Sequence, residues 1–221
     1  EKDYKKTRNV LIPKISLRLS PHEMKNHNST NRRITTSNVF SSNRLGLEDS
    51  FETGESITLG LDFIKNKKNI TGEITEIEEY FDFKLATVFR LEEEKNIPTN
   101  STLNKKTSNV FGQLNFEPNE IISLKYDFSL TNDLNTFEYN SMTSKFNFNN
   151  FSTEFTFLEE RGNIGNSNVI ENNTKYNFDE FNTISFETRR NREINLTEYY
   201  DLVYEYKNDC LIADVRYRKD Y

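Results

Sequence analysis

The sequence predicts an all-β chain: an antiparallel up-and-down transmembrane β-barrel, present as a partial, open and curved sheet of about eleven strands. Three observations predict it. Apolar and polar residues alternate with period two along most of the chain. The connections between these runs are short on one side and longer on the other. No run approaches the roughly 18 apolar residues of a membrane-crossing helix, whereas a tilted barrel strand needs only about ten residues.

The runs are read in order. A first strand covers residues 10–19, and the polar stretch 20–38, rich in Asn, Ser, Thr and Arg, reads as a loop on the long-loop side. In the strand at 55–65, Ile57, Leu59, Leu61 and Phe63 alternate with Thr58, Gly60 and Asp62. In the strand at 79–91, Phe81, Phe83, Leu85, Thr87, Phe89 and Leu91 share one parity, and Asp82, Lys84, Ala86, Val88 and Arg90 the other. A strand at 108–116 precedes one at 121–130, where Ile122, Leu124, Tyr126, Phe128 and Leu130 oppose Ser123, Lys125, Asp127 and Ser129. Strands follow at 136–148, 151–160, 173–178 and 182–190. The last two lie at 195–206, with Leu196, Tyr200, Leu202, Tyr204 and Tyr206 on one side, and at 210–218. Successive side chains of a strand point to opposite faces, so each run has one greasy and one wet side.

The tight connections fall at Lys65–Asn69, Glu117-Pro118-Asn119-Glu120, Asn149-Asn150, Asp179-Glu180 and Lys207-Asn208-Asp209. The two longest are Glu92–Thr107 and Arg161–Asn172. Short turns on one side and long loops on the other are the pattern of outer-membrane barrels. The soluble alternative is a meander or sandwich with irregular loops.

Composition agrees. Hydrophobic residues make up only 34% of the 221, low for a closed apolar core, and 13% of the chain is aromatic, almost all Phe and Tyr. Large rings on one face and polar residues on the other fit both numbers, and the rings argue against disorder. A net charge of -6 gives no support for nucleic-acid binding. Glu1-Lys2-Asp3-Tyr4 leads into no apolar signal-peptide core, and no Met starts the chain. Residues 1–221 are therefore read as one partial barrel domain, a fragment or mature segment.

Catalytic chemistry is hard to find. His22 and His27 are the only histidines, and in a polar loop without cysteine they read as surface residues rather than metal ligands. No Ser-His-Asp spacing stands out. Glu78-Glu79 and Glu92-Glu93-Glu94 read as solvated charge clusters, and Gly162 and Gly165 belong to no phosphate loop. No cofactor and no enzymatic activity are expected. Thr36-Ser37-Asn38-Val39-Phe40 and Thr107-Ser108-Asn109-Val110-Phe111 look alike, which shared strand-entry chemistry explains better than duplication. Arg189, Arg190 and Arg192 cluster at a strand end on the long-loop side. They read either as a solvated hairpin tip or as contacts to anionic lipid head groups or sugar phosphates. Cys210 is the only cysteine and lies in a short turn. It is either a free thiol or, if the short turns face an oxidising periplasm, half of a disulfide whose partner lies outside these residues.

Three segments together resemble the LptD family of lipopolysaccharide-assembly outer-membrane proteins. Asn38-Val39-Phe40-Ser41-Ser42-Asn43-Arg44-Leu45-Gly46-Leu47-Glu48-Asp49-Ser50-Phe51-Glu52, then Ile57-Thr58-Leu59-Gly60-Leu61, is similar to the family's N-L-F-S-x-x-R-x-x-G-x-D-R block and L-T-x-G strand. The Phe81–Leu91 strand with the loop and strand after it is the second segment. Leu202-Val203-Tyr204-Glu205-Tyr206-Lys207-Asn208-Asp209-Cys210 resembles a closing G-x-x-Y-x-x-x-C-C hairpin. Departures are Leu47-Glu48-Asp49-Ser50 in place of x-D-R, Leu202 in place of the glycine, and Leu211 in place of a second cysteine.

The resemblance implies a translocon barrel that delivers lipopolysaccharide and inserts it into the outer leaflet of the outer membrane of a Gram-negative bacterium. It implies an LptE-type plug lipoprotein in the lumen, a periplasmic transport bridge reached through an N-terminal domain, and contact with outer-membrane lipids. It also implies that Cys210 is disulfide-bonded to that periplasmic domain, and that this domain and the first and last barrel strands lie outside the segment. The rivals are a general outer-membrane porin or channel and a soluble β-sheet binding module.

Overall fold

The computed structural model describes residues 6–71 and 74–221. It holds one antiparallel sheet of eleven strands, each hydrogen-bonded to its neighbours in sequence, in the order β1 to β11. The strands are β1 (Lys6–Ser20), β2 (Gly54–Thr71), β3 (Ile74–Arg90), β4 (Val110–Asn119), β5 (Ile122–Leu130), β6 (Phe137–Phe148), β7 (Phe151–Glu160), β8 (Ser167–Asn177), β9 (Asn182–Asn191), β10 (Leu196–Lys207) and β11 (Ile212–Asp220). The sheet is open: β1 and β11 are its two edges. All eleven expected strands are present, and the only helix among the described residues is a 3-10 turn at Thr99–Ser101.

Period-two alternation becomes two chemically distinct faces. Cross-strand partners carry the parity from strand to strand: Leu59 pairs with Thr87, Leu61 with Leu85, Phe83 with Leu114, Leu114 with Tyr126, and Tyr126 with Met142. This apolar face continues through Phe155, Ile170, Phe186 and Leu202. Nothing among the described residues covers it, and Leu59 and Phe155 remain 42% and 51% exposed. An apolar surface of this extent marks a membrane or partner interface. Its aromatic rings meet mostly edge-on, as in Phe63–Phe81 and Phe128–Phe137.

Asn and Asp residues set the turns. Asn119, Asp179 and Asn208 each accept backbone N–H groups two and three residues ahead, from Ile121 and Ile122, Phe181 and Asn182, and Cys210 and Leu211. Such a side chain imitates a backbone turn and fixes the reversal. Asn149 and Asn195 instead take the left-handed backbone conformation at φ 48° and 54°. These asparagines thus serve as turn chemistry.

Two expectations need correction. β2 does not end near Lys65; a bulge between Lys65 and Asn66 leaves Tyr80 of β3 as the extra residue, and pairing continues to Thr71. The first tight connection therefore does not fall at Lys65–Asn69, and residues 72–73 between β2 and β3 lie outside the described residues. β8 begins at Ser167, not 173, so the β7–β8 connection is short. The polar stretch after β1 is a loop, and it does not stand free of the sheet. Residues 21–53 fold back onto the polar face and, with residues 91–109 between β3 and β4, build a hydrophobic core there.

Candidate functional site: the polar face and its cap

Opposite the apolar rows lies a ladder of paired polar side chains. On β1 to β3, Lys14 forms an ion pair with Asp62, and Lys84 Nζ lies 2.6 Å from Asp82 Oδ2. Gln113 donates to Asp127 Oδ1 at 2.9 Å, and Lys145 Nζ meets Glu154 Oε2 at 2.7 Å. Further on, Arg189 donates to Glu171 Oε1 at 2.8 Å, Tyr199 donates to Glu187 Oε1 at 2.6 Å, and Arg216 and Arg218 converge on Asp201. The face thus offers donors, acceptors and both charges from β1 to β11. It suits a hydroxyl- and phosphate-rich guest, and among its described residues no nucleophile lies beside an aligned base.

The cap closes the long-loop end of this face over β2–β4. Met24, Ile34, Val39, Leu45 and Leu47 from the β1–β2 connection pack with Ala86, Val88, Ile97, Leu103 and Phe111. Ala86 and Val88 carry the polar parity of β3, and their apolar character is explained by what lies on top of them. Phe40 presses on Gly60, where a Cβ would sit 2.5 Å from its ring.

Polar groups anchor the cap. Asn43 holds the turn by accepting from Leu47 N–H and donating to Leu47 O, while Gly46 takes φ +60° between them. Arg44 donates to Glu52 through Nε at 2.7 Å and Nη2 at 2.5 Å, and reaches Thr58 Oγ1 at 2.8 Å and Ser56 Oγ at 3.0 Å. Arg90 of β3 donates to the same carboxylate at 2.6 Å. Burial alone would raise the Glu52 pKa, but Arg44, with the charges of Arg18 and Arg90, holds it below its ordinary value.

A second polar cluster holds the β3–β4 connection. The Ser108 hydroxyl accepts from Val88 N–H at 2.9 Å, and Asn109 donates to Glu138 Oε2 at 2.6 Å and Ser129 Oγ at 3.0 Å. The two connections also bond to each other, His27 N–H to Asn96 O and Thr99 N–H to Asn28 O. At the far margin, the Arg33 guanidinium stacks 4.0 Å from the Tyr139 ring and lies 3.8 Å from Glu160.

A family model described as LPS transport system D, LptD, matches residues 1–187. The chain belongs to the LptD family. The match covers β1–β8 and most of β9, and includes the whole cap. LptD proteins serve lipopolysaccharide transport and outer-membrane biogenesis, a transport role rather than an enzymatic one. Comparison with curated proteins finds no match.

The segment 38–52 that resembles the family block anchors the cap: Arg44, the block's arginine, pairs with Glu52, while Asn43, at a variable position of the block, holds the turn and Gly46 bends it. The two similar pentapeptides part company. Asn109–Phe111 does enter β4, whereas Asn38–Phe40 lies in a turn of the cap. Asn38 there bonds Thr35 N–H and Arg33 O.

The arginine cluster is divided by the pleat. Arg189 lies on the polar face, while Arg190 pairs across from Ile170 on the apolar face and Arg192 lies over Phe157. Cys210 is exposed in the Asn208 turn, on the side of the short connections. It and the segment Leu202–Lys207 lie beyond the matched residues.

Proposed function

We propose that this chain is part of the wall of a translocon barrel that delivers lipopolysaccharide to the outer leaflet of the outer membrane. The observation that carries the reading is the two-faced sheet in an LptD-family chain. One face is a continuous polar ladder of Lys, Asp, Asn, Gln and Arg, and the other is an uncovered aromatic and aliphatic wall. Sugars and phosphates would travel along the first while the second meets lipid. Because the core of the cap lies over β2–β4 and its margin reaches only one end of β5–β7, the rest of the polar face of β5–β11 is where an LptE-type plug lipoprotein would sit. The exposed thiol of Cys210 would form a disulfide with a periplasmic domain in another part of the protein, coupling the barrel to the periplasmic bridge.

Photocrosslinking in the full-length protein tests this. A photoreactive residue at Thr143, on the polar face, is expected to capture lipopolysaccharide in cells, and one at Leu59 to capture membrane lipid. A porin would give no lipopolysaccharide at Thr143, and a soluble module no lipid at Leu59. For the disulfide, non-reducing electrophoresis of the full-length protein should show a mobility shift that Cys210→Ser abolishes; identical mobility would refute the pairing.

A further inference from the structure

The pleat gives the cationic cluster at the long-loop end a direction. Arg189 turns to the polar face, where Glu171 and Glu198 both approach it at 2.8 Å. Its neighbours go the other way. Arg190, directly opposite Ile170 of β8, donates to the neutral side chain of Asn195 at 2.5 Å. Arg192 places its guanidinium 5.7 Å from the centre of the Phe157 ring. Neither has a carboxylate partner among the described residues. Glu159, two residues beyond Phe157 on β7, already accepts from Asn140 at 3.1 Å, Asn168 at 3.2 Å and Arg161 at 2.5 Å. The two arginines therefore carry unneutralised charge at the margin of the apolar face.

What lies below them fixes the kind of partner. Phe157, Ile170, Phe186 and Leu202 continue the apolar wall from this margin toward the short turns. A cationic rim directly above an apolar wall matches an amphiphile with an anionic head and acyl chains. A guanidinium is suited to phosphate in particular, since its fork can bond two oxygens at once.

We propose that Arg190 and Arg192 form a docking site on the membrane-facing side of the sheet for the phosphates of glycolipid already resident in the outer leaflet. This site is on the opposite face from the cargo route and rests on the barrel reading above. It would fix the height of the wall against its own lipid.

The test uses the full-length protein in nanodiscs containing phosphorylated lipid A, with a photoreactive residue at Phe157. Capture of lipid A at Phe157 is expected to fall by about five-fold for each arginine lost in Arg190→Gln and Arg192→Gln. It should largely return in the Arg→Lys versions, drop equally with dephosphorylated lipid A, and resist excess inorganic phosphate. Equal capture by the Gln variants, equal capture of the dephosphorylated lipid, or competition by free phosphate would overturn the site. A photoreactive residue at Leu59 in the same nanodiscs keeps the readings apart. Lipid capture at Leu59 without charge selectivity at Phe157 defeats only this proposal, whereas no lipid at either position defeats the barrel itself.

Discussion

Arg44 grips Glu52 with two nitrogens, and both side chains are almost sealed from solvent, 1% and 2% exposed. This pair ties the turn containing Leu45 and Leu47 to the root of β2, and Arg90 adds the tie to β3. Removing the carboxylate leaves two buried guanidinium groups without their counter-ion. Glu52→Gln is expected to destabilise the cap by about 3–5 kcal/mol. The check is limited proteolysis of the folded protein: trypsin should newly cut after Arg44, while the strands stay intact.

The same carboxylate predicts a pH response. Its folded pKa lies below its unfolded one, so its contribution is fully present above the ordinary glutamate range of about 4.3 and is lost as pH falls through the folded value. Hydrogen exchange of residues 39–47, corrected for intrinsic rate, should show stable protection at neutral pH and loss only in acid below that range. In Glu52→Gln the protection should be weak and insensitive to this transition.

Gly60 predicts a steric effect at a distance in sequence. A methyl group there would meet Phe40 at 2.5 Å and the Leu85 carbonyl at 3.1 Å. Gly60→Ala should cost about 1–3 kcal/mol by overpacking. Thermal unfolding in detergent measures it, and a smaller side chain at Phe40 should recover much of the loss, since the clash is mainly with the ring. No recovery would mean that the Leu85 backbone contact dominates.

The turn at Asn208 predicts a change confined to two amides. Its side-chain oxygen accepts from Cys210 and Leu211 at 2.9 and 2.8 Å. Asn208→Ala should cost about 1 kcal/mol and expose both amides to exchange. Asn208→Asp keeps the acceptor and should keep their protection.

The strands were legible because each of their faces has a single solvent to match, and period two reports that directly. β8 was half hidden for the same reason inverted. Asn168, Asn172 and Asn173 put amides on both faces, and the strand is held by partners that sequence does not show, such as Asn172 donating to Thr153 Oγ1 and Glu154 O. The cap was invisible to periodicity. Its buried residues Met24, Ile34, Val39, Leu45 and Leu47 follow no helical or strand spacing, and their anchors Arg44 and Glu52 look like solvated charges until Ser56, Thr58 and Arg90 surround them. The family block marked Arg44 without revealing that it faces inward. The division of Arg189 from Arg190 follows from parity alone, whereas the path of Arg192 over Phe157 needed the turn.

The cap draws its partners from successively later parts of the chain. Glu52 meets Ser56 and Thr58 through Arg44, then Arg90 of β3; Arg33 waits for Tyr139 of β6 and Glu160 of β7. Every strand pairs only with its neighbours in sequence, so a sheet laid down hairpin by hairpin would fasten the cap in stages. The final clasp at Arg33 cannot close until seven strands are in place. An early segment whose attachments run from β2 to β7 would thus be fully fastened only once that stretch of wall exists, so completion of the cap would report its presence.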